Sequence, residues 1–161
     1  MSFKILVMKK ILYLFTACCI ATLAQAQTLT EKDLQGNWAI HSFHASGIIV
    51  DAVTGEVSFS DEIKSQLTPE LEQQIKGQMA GASEALKGGT INIDGNNLTR
   101  TISGTSKKGT YALKETDGKQ SIVITYDDGT SNEVGIAKVD NMLSVTAAQN
   151  GQQAEFRYTK Q

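Results

Sequence analysis

The sequence predicts an all-β protein: an antiparallel up-and-down barrel of about eight to ten strands with one inserted amphipathic helical segment. From residue 90 onward, turn-forming residues recur at a step of roughly eleven, which is one strand plus one tight turn. Between those turns apolar and polar residues alternate, the period of a strand with one buried and one wet face. The stretch 61–87 breaks that alternation and repeats near every fourth residue, the spacing of a helix face.

Residues 1–26 read as a signal peptide. Lys9 and Lys10 form a positive start, Ile11 to Leu23 is apolar, and Ala24-Gln25-Ala26 supplies the small residues that signal peptidase accommodates, so cleavage is expected after Ala26. Met8 offers a second start with a more usual leader. The apolar run is shorter than the about 20 residues of a spanning helix, and no second run follows it. The expected product is a single domain over 27–161, periplasmic or secreted and without a transmembrane segment. A lipoprotein anchored through Cys18 is the minor alternative, because Phe15-Thr16-Ala17 departs from the lipoprotein box. Cys18 and Cys19 are the chain's two cysteines, and both leave with the leader. A disulfide, a thiol nucleophile and a cysteine zinc site are thereby excluded from the mature chain. The formal charge of −2 becomes more negative once Lys4, Lys9 and Lys10 are removed, which disfavours nucleic acid and anionic membranes as partners.

The mature chain opens with Leu34-Gln35-Gly36-Asn37-Trp38, and Gly36 to Phe43 and Ile48 to Phe59 supply the first strands. The helical segment follows, with Ile63, Leu67, Leu71, Ile75 and Met79 as its apolar stripe and Leu86 extending it. Thr68-Pro69-Glu70 is itself a helix start, with Thr68 as N-cap and Pro69 in the first helical position, so a kink or break is expected there. Gly77 and Gly81 weaken the helix, and Gly88-Gly89 ends it. Such a segment packs on the sheet, plugs one barrel end, or covers an open mouth as a lid.

The meander then turns at Asp94-Gly95-Asn96-Asn97, Gly104 to Gly109, Asp117-Gly118, Asp128-Gly129, Asp140-Asn141 and Asn150-Gly151. Its strands carry Ile91/Ile93, Leu98/Ile102, Tyr111/Leu113, Ile122/Ile124/Tyr126, Val134/Ile136, Leu143/Val145/Ala147 and Phe156/Tyr158. A sheet of that size protects its edges by closing or by splitting in two.

Nothing in the sequence points to catalysis, a metal or a cofactor. No Gly-x-Ser-x-Gly elbow exists, since Gly81-Ala82-Ser83-Glu84-Ala85 lacks its second glycine, and Asp127-Asp128 sits in a turn. His41 and His44 are three apart, so on a regular strand they point to opposite faces and share no ion. Arg100 has the parity of Leu98 and Ile102 and is expected to point inward, where a guanidinium needs a ligand carboxylate, a buried acid or carbonyl groups. The expected ligand-binding set is Leu71, Ile75 and Met79 on the helix facing Arg100, Tyr111, Ile124 and Phe156 on the sheet.

Gly36-Asn37-Trp38 at the head of the first strand resembles the start of lipocalins and related calycin barrels. Gly109-Thr110-Tyr111, Met142-Leu143-Ser144-Val145 and Phe156-Arg157-Tyr158 are similar to stretches of small lipocalin-like domains exported by Bacteroidetes-type bacteria, and the pattern covers nearly all of 27–161. The resemblance implies that Trp38 closes one barrel end under a basic residue of the last strand. Arg157 is the best match for that residue, through a stacked cation–π contact, and Arg100 competes. It also implies a non-catalytic binding protein with a small apolar or amphipathic ligand in the barrel. The rival is an interaction or inhibitor module of the cell envelope with a closed, ligand-free barrel. A helix inside the barrel order departs from the lipocalin pattern, in which the helix follows the barrel.

Overall fold

A computed structural model describes residues 28–149 and 151–161. The expected leader, with Cys18 and the cleavage position at Ala26, lies outside them. Ten strands form one antiparallel sheet: β1 (Gly36–Ala45), β2 (Ile48–Asp51), β3 (Val57–Phe59), β4 (Thr90–Asp94), β5 (Asn97–Ile102), β6 (Thr105–Thr116), β7 (Lys119–Tyr126), β8 (Ser131–Val139), β9 (Met142–Gln149) and β10 (Gln152–Lys160). Strands β4 to β10 follow one another as hairpins, and β10 pairs back onto β1, so eight strands close into a barrel. Closure removes the free edges that a long antiparallel sheet would expose. The two extra strands, β2 and β3, form a flap.

The turn residues do what their chemistry demands. Ser103-Gly104, Asp117-Gly118 and Asp140-Asn141 each have both residues at positive φ, the geometry of the two-residue hairpins that match strand twist. The stretch 104–109 is not all turn, however. Thr105 onward already belongs to β6, and Gly109 lies inside that strand because a β-carbon there would come within 2.8 Å of Tyr126 Cα.

The inserted segment divides where Thr68 predicts. Helix α1 (Glu31–Leu34) precedes the barrel, α2 (Asp61–Lys64) is a single turn capped by Ser60, and α3 (Pro69–Leu86) begins at Pro69 with the Thr68 hydroxyl accepting from the Leu71 amide. Helix α3 rests on β2 and β3, and its last turn is fastened by Ser83 Oγ donating to the Gly55 carbonyl and by Ser103 Oγ donating to the Ala85 carbonyl.

Strand β1 serves two neighbours on one side. Gly36 to Ala39 pair with β4 and complete the barrel, whereas Ser42 to Ala45 pair with β2. Between them the register against β10 slips at His41, a bulge that shifts the alternation by one residue. Trp38 and Ile40 face the interior before it, and Phe43 faces the interior after it, opposite Phe156 with ring centroids 4.9 Å apart.

The two barrel ends differ. At the first, Leu29, Leu34 and Trp38 are buried, Trp38 Nε1 donates to the Leu34 carbonyl at 2.8 Å, and the Thr30–Asp33 capping box holds α1 in place. The barrel body is filled by Ile91, Ile93, Leu98, Tyr111, Ile122, Ile124, Ile136, Leu143 and Val145. At the second end, Phe43, Ile48, Phe59, Met79, Ile102 and Phe156 are only partly buried against that core. No helix among the described residues is long and apolar enough to cross a membrane.

Candidate functional site

The half-buried apolar residues mark the second end as the barrel mouth, and polar groups gather beside them. A cleft of about 290 Å³ is lined by Arg100, Ile102, Thr105, Lys107, Tyr126 and Asn132. Strand pairing explains how they meet. Arg100 stands between Ile91 on β4 and Lys107 on β6, and Gly109, two residues on, stands opposite Tyr126 on β7. Gly109 lets the β6 and β7 backbones approach closely there.

The two cations of the mouth are placed differently. Lys107 is engaged, with Nζ 3.1 Å from Asp128 Oδ2 and 5.3 Å from the Tyr126 ring centroid. The Thr130 hydroxyl and amide, with Lys107, hold the Asp128 carboxyl down to about 2. Arg100 forms no hydrogen bond and no ion pair among the described residues: the acids that pair are Glu72, Glu84, Asp128, Glu133 and Glu155, each with another base. Among the described residues no buried side-chain nitrogen or oxygen is left without a partner, so the half-buried guanidinium keeps access to solvent. Its charge reaches Tyr158. Burial pushes that phenol up to about 12, the positive charge of Arg100 opposes the shift, and Tyr126 adds to it. One guanidinium and two phenols therefore share the inner face near the mouth.

The other expected site residues separate. Phe156 is at the mouth against Phe43 and Tyr158. Tyr111 and Ile124 are strand partners in the filled body, and the Tyr111 hydroxyl accepts from Gln35 Nε2, which ties it to the closed end. Burial raises the Tyr111 phenol. On α3, Ile75 and Met79 are half-buried but Leu71 is 42% exposed. A strict step of four advances about 40° beyond each full turn, so such a stripe winds around a helix. The buried line instead runs through Ile75, Met79, Ser83 and Leu86, against the flap. The single wall expected between Leu71, Ile75, Met79 and the sheet residues Tyr111, Ile124 and Phe156 is not formed.

The residue over Trp38 is neither Arg157 nor Arg100. Lys160, paired with Trp38 across β1 and β10, places Nζ 5.2 Å from the indole centroid. Parity decides this: Lys160 shares the phase of Phe156 and Tyr158, whereas Arg157 is one residue out of phase. Arg157 projects from the outer face and pairs with Glu155, Nε to Oε1 at 2.9 Å and Nη2 to Oε2 at 3.3 Å, and Ser144 Oγ donates to the same carboxylate. These donors keep the Glu155 carboxyl below its usual range although desolvation opposes them.

The bulge also alters the histidine argument. Ser42 pairs with Arg157 and His44 with Glu155, and Ser42 Oγ and His44 Nε2 share a 2.8 Å hydrogen bond. The register break falls at His41 itself, so the regular alternation assumed between the two histidines is interrupted there. Desolvation is the main cause that lowers the His44 pKa. Among the described residues no group of three or more His, Cys, Asp or Glu is placed to hold a metal ion.

Alternation was sufficient to find Tyr126, Tyr158 and Lys160 beside Arg100 and Trp38, yet their long side chains read as ordinary core or surface. The closed eight-stranded antiparallel barrel is compatible with a lipocalin-like fold. No protein-family model, no curated protein and no solved structure matches the chain.

Proposed function

We propose that the protein is an exported, lipocalin-like binding protein that holds a small amphipathic molecule at the barrel mouth without chemical conversion. The anionic group of the ligand meets Arg100, with Tyr126 and Tyr158 as hydroxyl donors, and its apolar part lies against Ile102, Phe43 and Phe156. The observation that carries this reading is the half-buried, unpaired guanidinium of Arg100 on the inner face. An inward charge that no protein acid neutralises is a place for an external one, and Arg offers a carboxylate two parallel donors. Export to the periplasm or medium rests on the leader.

Native mass spectrometry of protein taken from its source compartment tests it. Retained ligand mass that disappears in Arg100→Gln is the expected result. Protein without added mass that also fails to bind any member of a fatty-acid panel overturns it. The second reading, an envelope interaction module with a closed barrel, is favoured by the filled body, where Leu98 and Ile93 are 1% and 3% exposed. The flat result is its signature.

A further inference from the structure

We infer that the closed end of the barrel carries a second, independent site for a small organic anion with an apolar tail. A cleft of about 450 Å³ opens there, within the range of small-molecule sites. Three lysines from three separate elements border it: Lys32 on α1, Lys138 on β8 and Lys160 on β10. None of them has an ion pair among the described residues. The acid at the cleft, Asp33, is turned to another task, because its Oδ2 accepts from both the amide and the hydroxyl of Thr30. Lys138 and Lys160 still lower its pKa by their charge, which places them close without a contact.

The cations are also positioned rather than merely present. The Lys160 stem passes over Gly36, where a β-carbon would stand 3.3 Å from Cε, and its ammonium is held over the Trp38 ring. Lys138 stands opposite Leu143 at the end of β8, with the inward phase of Ile136. Between the lysines the cleft is floored by Leu29, Met142 and Leu143 beside Trp38. Positive charge around an apolar floor selects an amphipathic anion over a free inorganic one, and a medium-chain carboxylate has both parts. This site lies at the opposite end of the barrel from Arg100, so it stands or falls apart from the mouth reading.

Trp38 is the chain's only tryptophan and lies in the cleft, so its emission reports occupancy directly. The experiment titrates the purified protein with decanoate, decanol and inorganic phosphate while Trp38 fluorescence is followed. Decanoate is expected to give a saturable change, weakened at least tenfold by Lys138→Gln and unaltered by Arg100→Gln, with decanol and phosphate weaker by a similar factor. Lys32→Gln, on a separate element, provides the same test should Lys138→Gln fail to fold. A flat decanoate titration, equal responses to decanoate and decanol, saturation by phosphate alone, or a response lost only in Arg100→Gln each overturns the inference.

Discussion

Lys160 lies over Trp38 as its partner across the seam where the last strand meets the first, with the ammonium 5.2 Å from the indole centroid. The indole is buried and also donates to the Leu34 carbonyl, so it ties β1, β10 and α1 together. Trp38→Ala is expected to cost on the order of 3–5 kcal/mol as a large core truncation. Lys160→Ala should cost only about 0.5–1 kcal/mol, the worth of an exposed cation–π contact, and should alter Trp38 emission. Arg157→Ala should leave that emission unchanged. Urea midpoints and emission maxima of the three variants check the assignment.

Glycine replacements should divide by location. Gly109→Ala forces a methyl against Tyr126 Cα and the Thr125 backbone, so a loss of about 1–3 kcal/mol or more is expected. Gly77→Ala and Gly81→Ala meet nothing within 4 Å in the middle of α3 and should stabilise by about 0.5–1 kcal/mol each. Denaturant midpoints that fail to separate the two classes would refute the placement of Gly109 inside β6.

Stability should fall in alkali through Tyr158. Its phenol is raised in the folded state from 10 to about 12, so the neutral form is favoured there. That contribution is fully present below pH 10 and disappears as pH rises from 10 to about 12. Two pH units correspond to about 2–3 kcal/mol in total. Tyr158→Phe should flatten the fall in denaturant midpoint over that window. Some slope will persist, since Tyr111 is raised by burial as well.

Helix α3 should be unequally stable along its length. Its C-terminal turns bury Ser83 and Leu86 and are bonded to Gly55 and Ser103, while Leu71 and most of the first two turns are exposed. Amide exchange is therefore expected to be faster at 72–78 than at 83–87, and slowest in the central strands. If the helix acts as a lid, an added mouth ligand slows the first group selectively. Uniform protection along α3 would show a rigid plug.

The parts of this fold written in local chemistry were legible in the sequence. Paired turn residues such as Asp117-Gly118 fix hairpins, Thr68-Pro69 fixes a helix start, and period-two alternation fixes which face of each strand is wet. Arg100 was placed inward by the same parity. What alternation could not supply was any event that changes its phase or its partner. The extra residue at His41 reverses the faces of Ser42 and His44, and only the pairing with β10 reveals it. The rotation of α3 likewise depends on the flap beneath it, a contact between distant segments. The choice of Lys160 over Arg157 was available from parity, but the aromatic-basic motif drew attention to the wrong neighbour.

The bulge at His41 has a consequence for which changes β1 can absorb. A strand is read two residues at a time, and the extra residue joins two stretches that are out of frame with each other: the barrel stretch ending at Ile40 and the flap stretch beginning at Ser42. The extra residue therefore adds a kink and local twist at this junction and not a new set of inward side chains. His41 itself can be exchanged for another polar residue with little effect on the fold, and removing it leaves Ile40 and Ser42 opposite the adjacent residues Tyr158 and Arg157, so Phe43 and Ala45 stay inward and Ser42 and His44 stay outward. A missing codon at this junction therefore straightens the strand without re-aiming the flap stretch, whereas one lost beyond Ser42 re-aims the side chains that follow it.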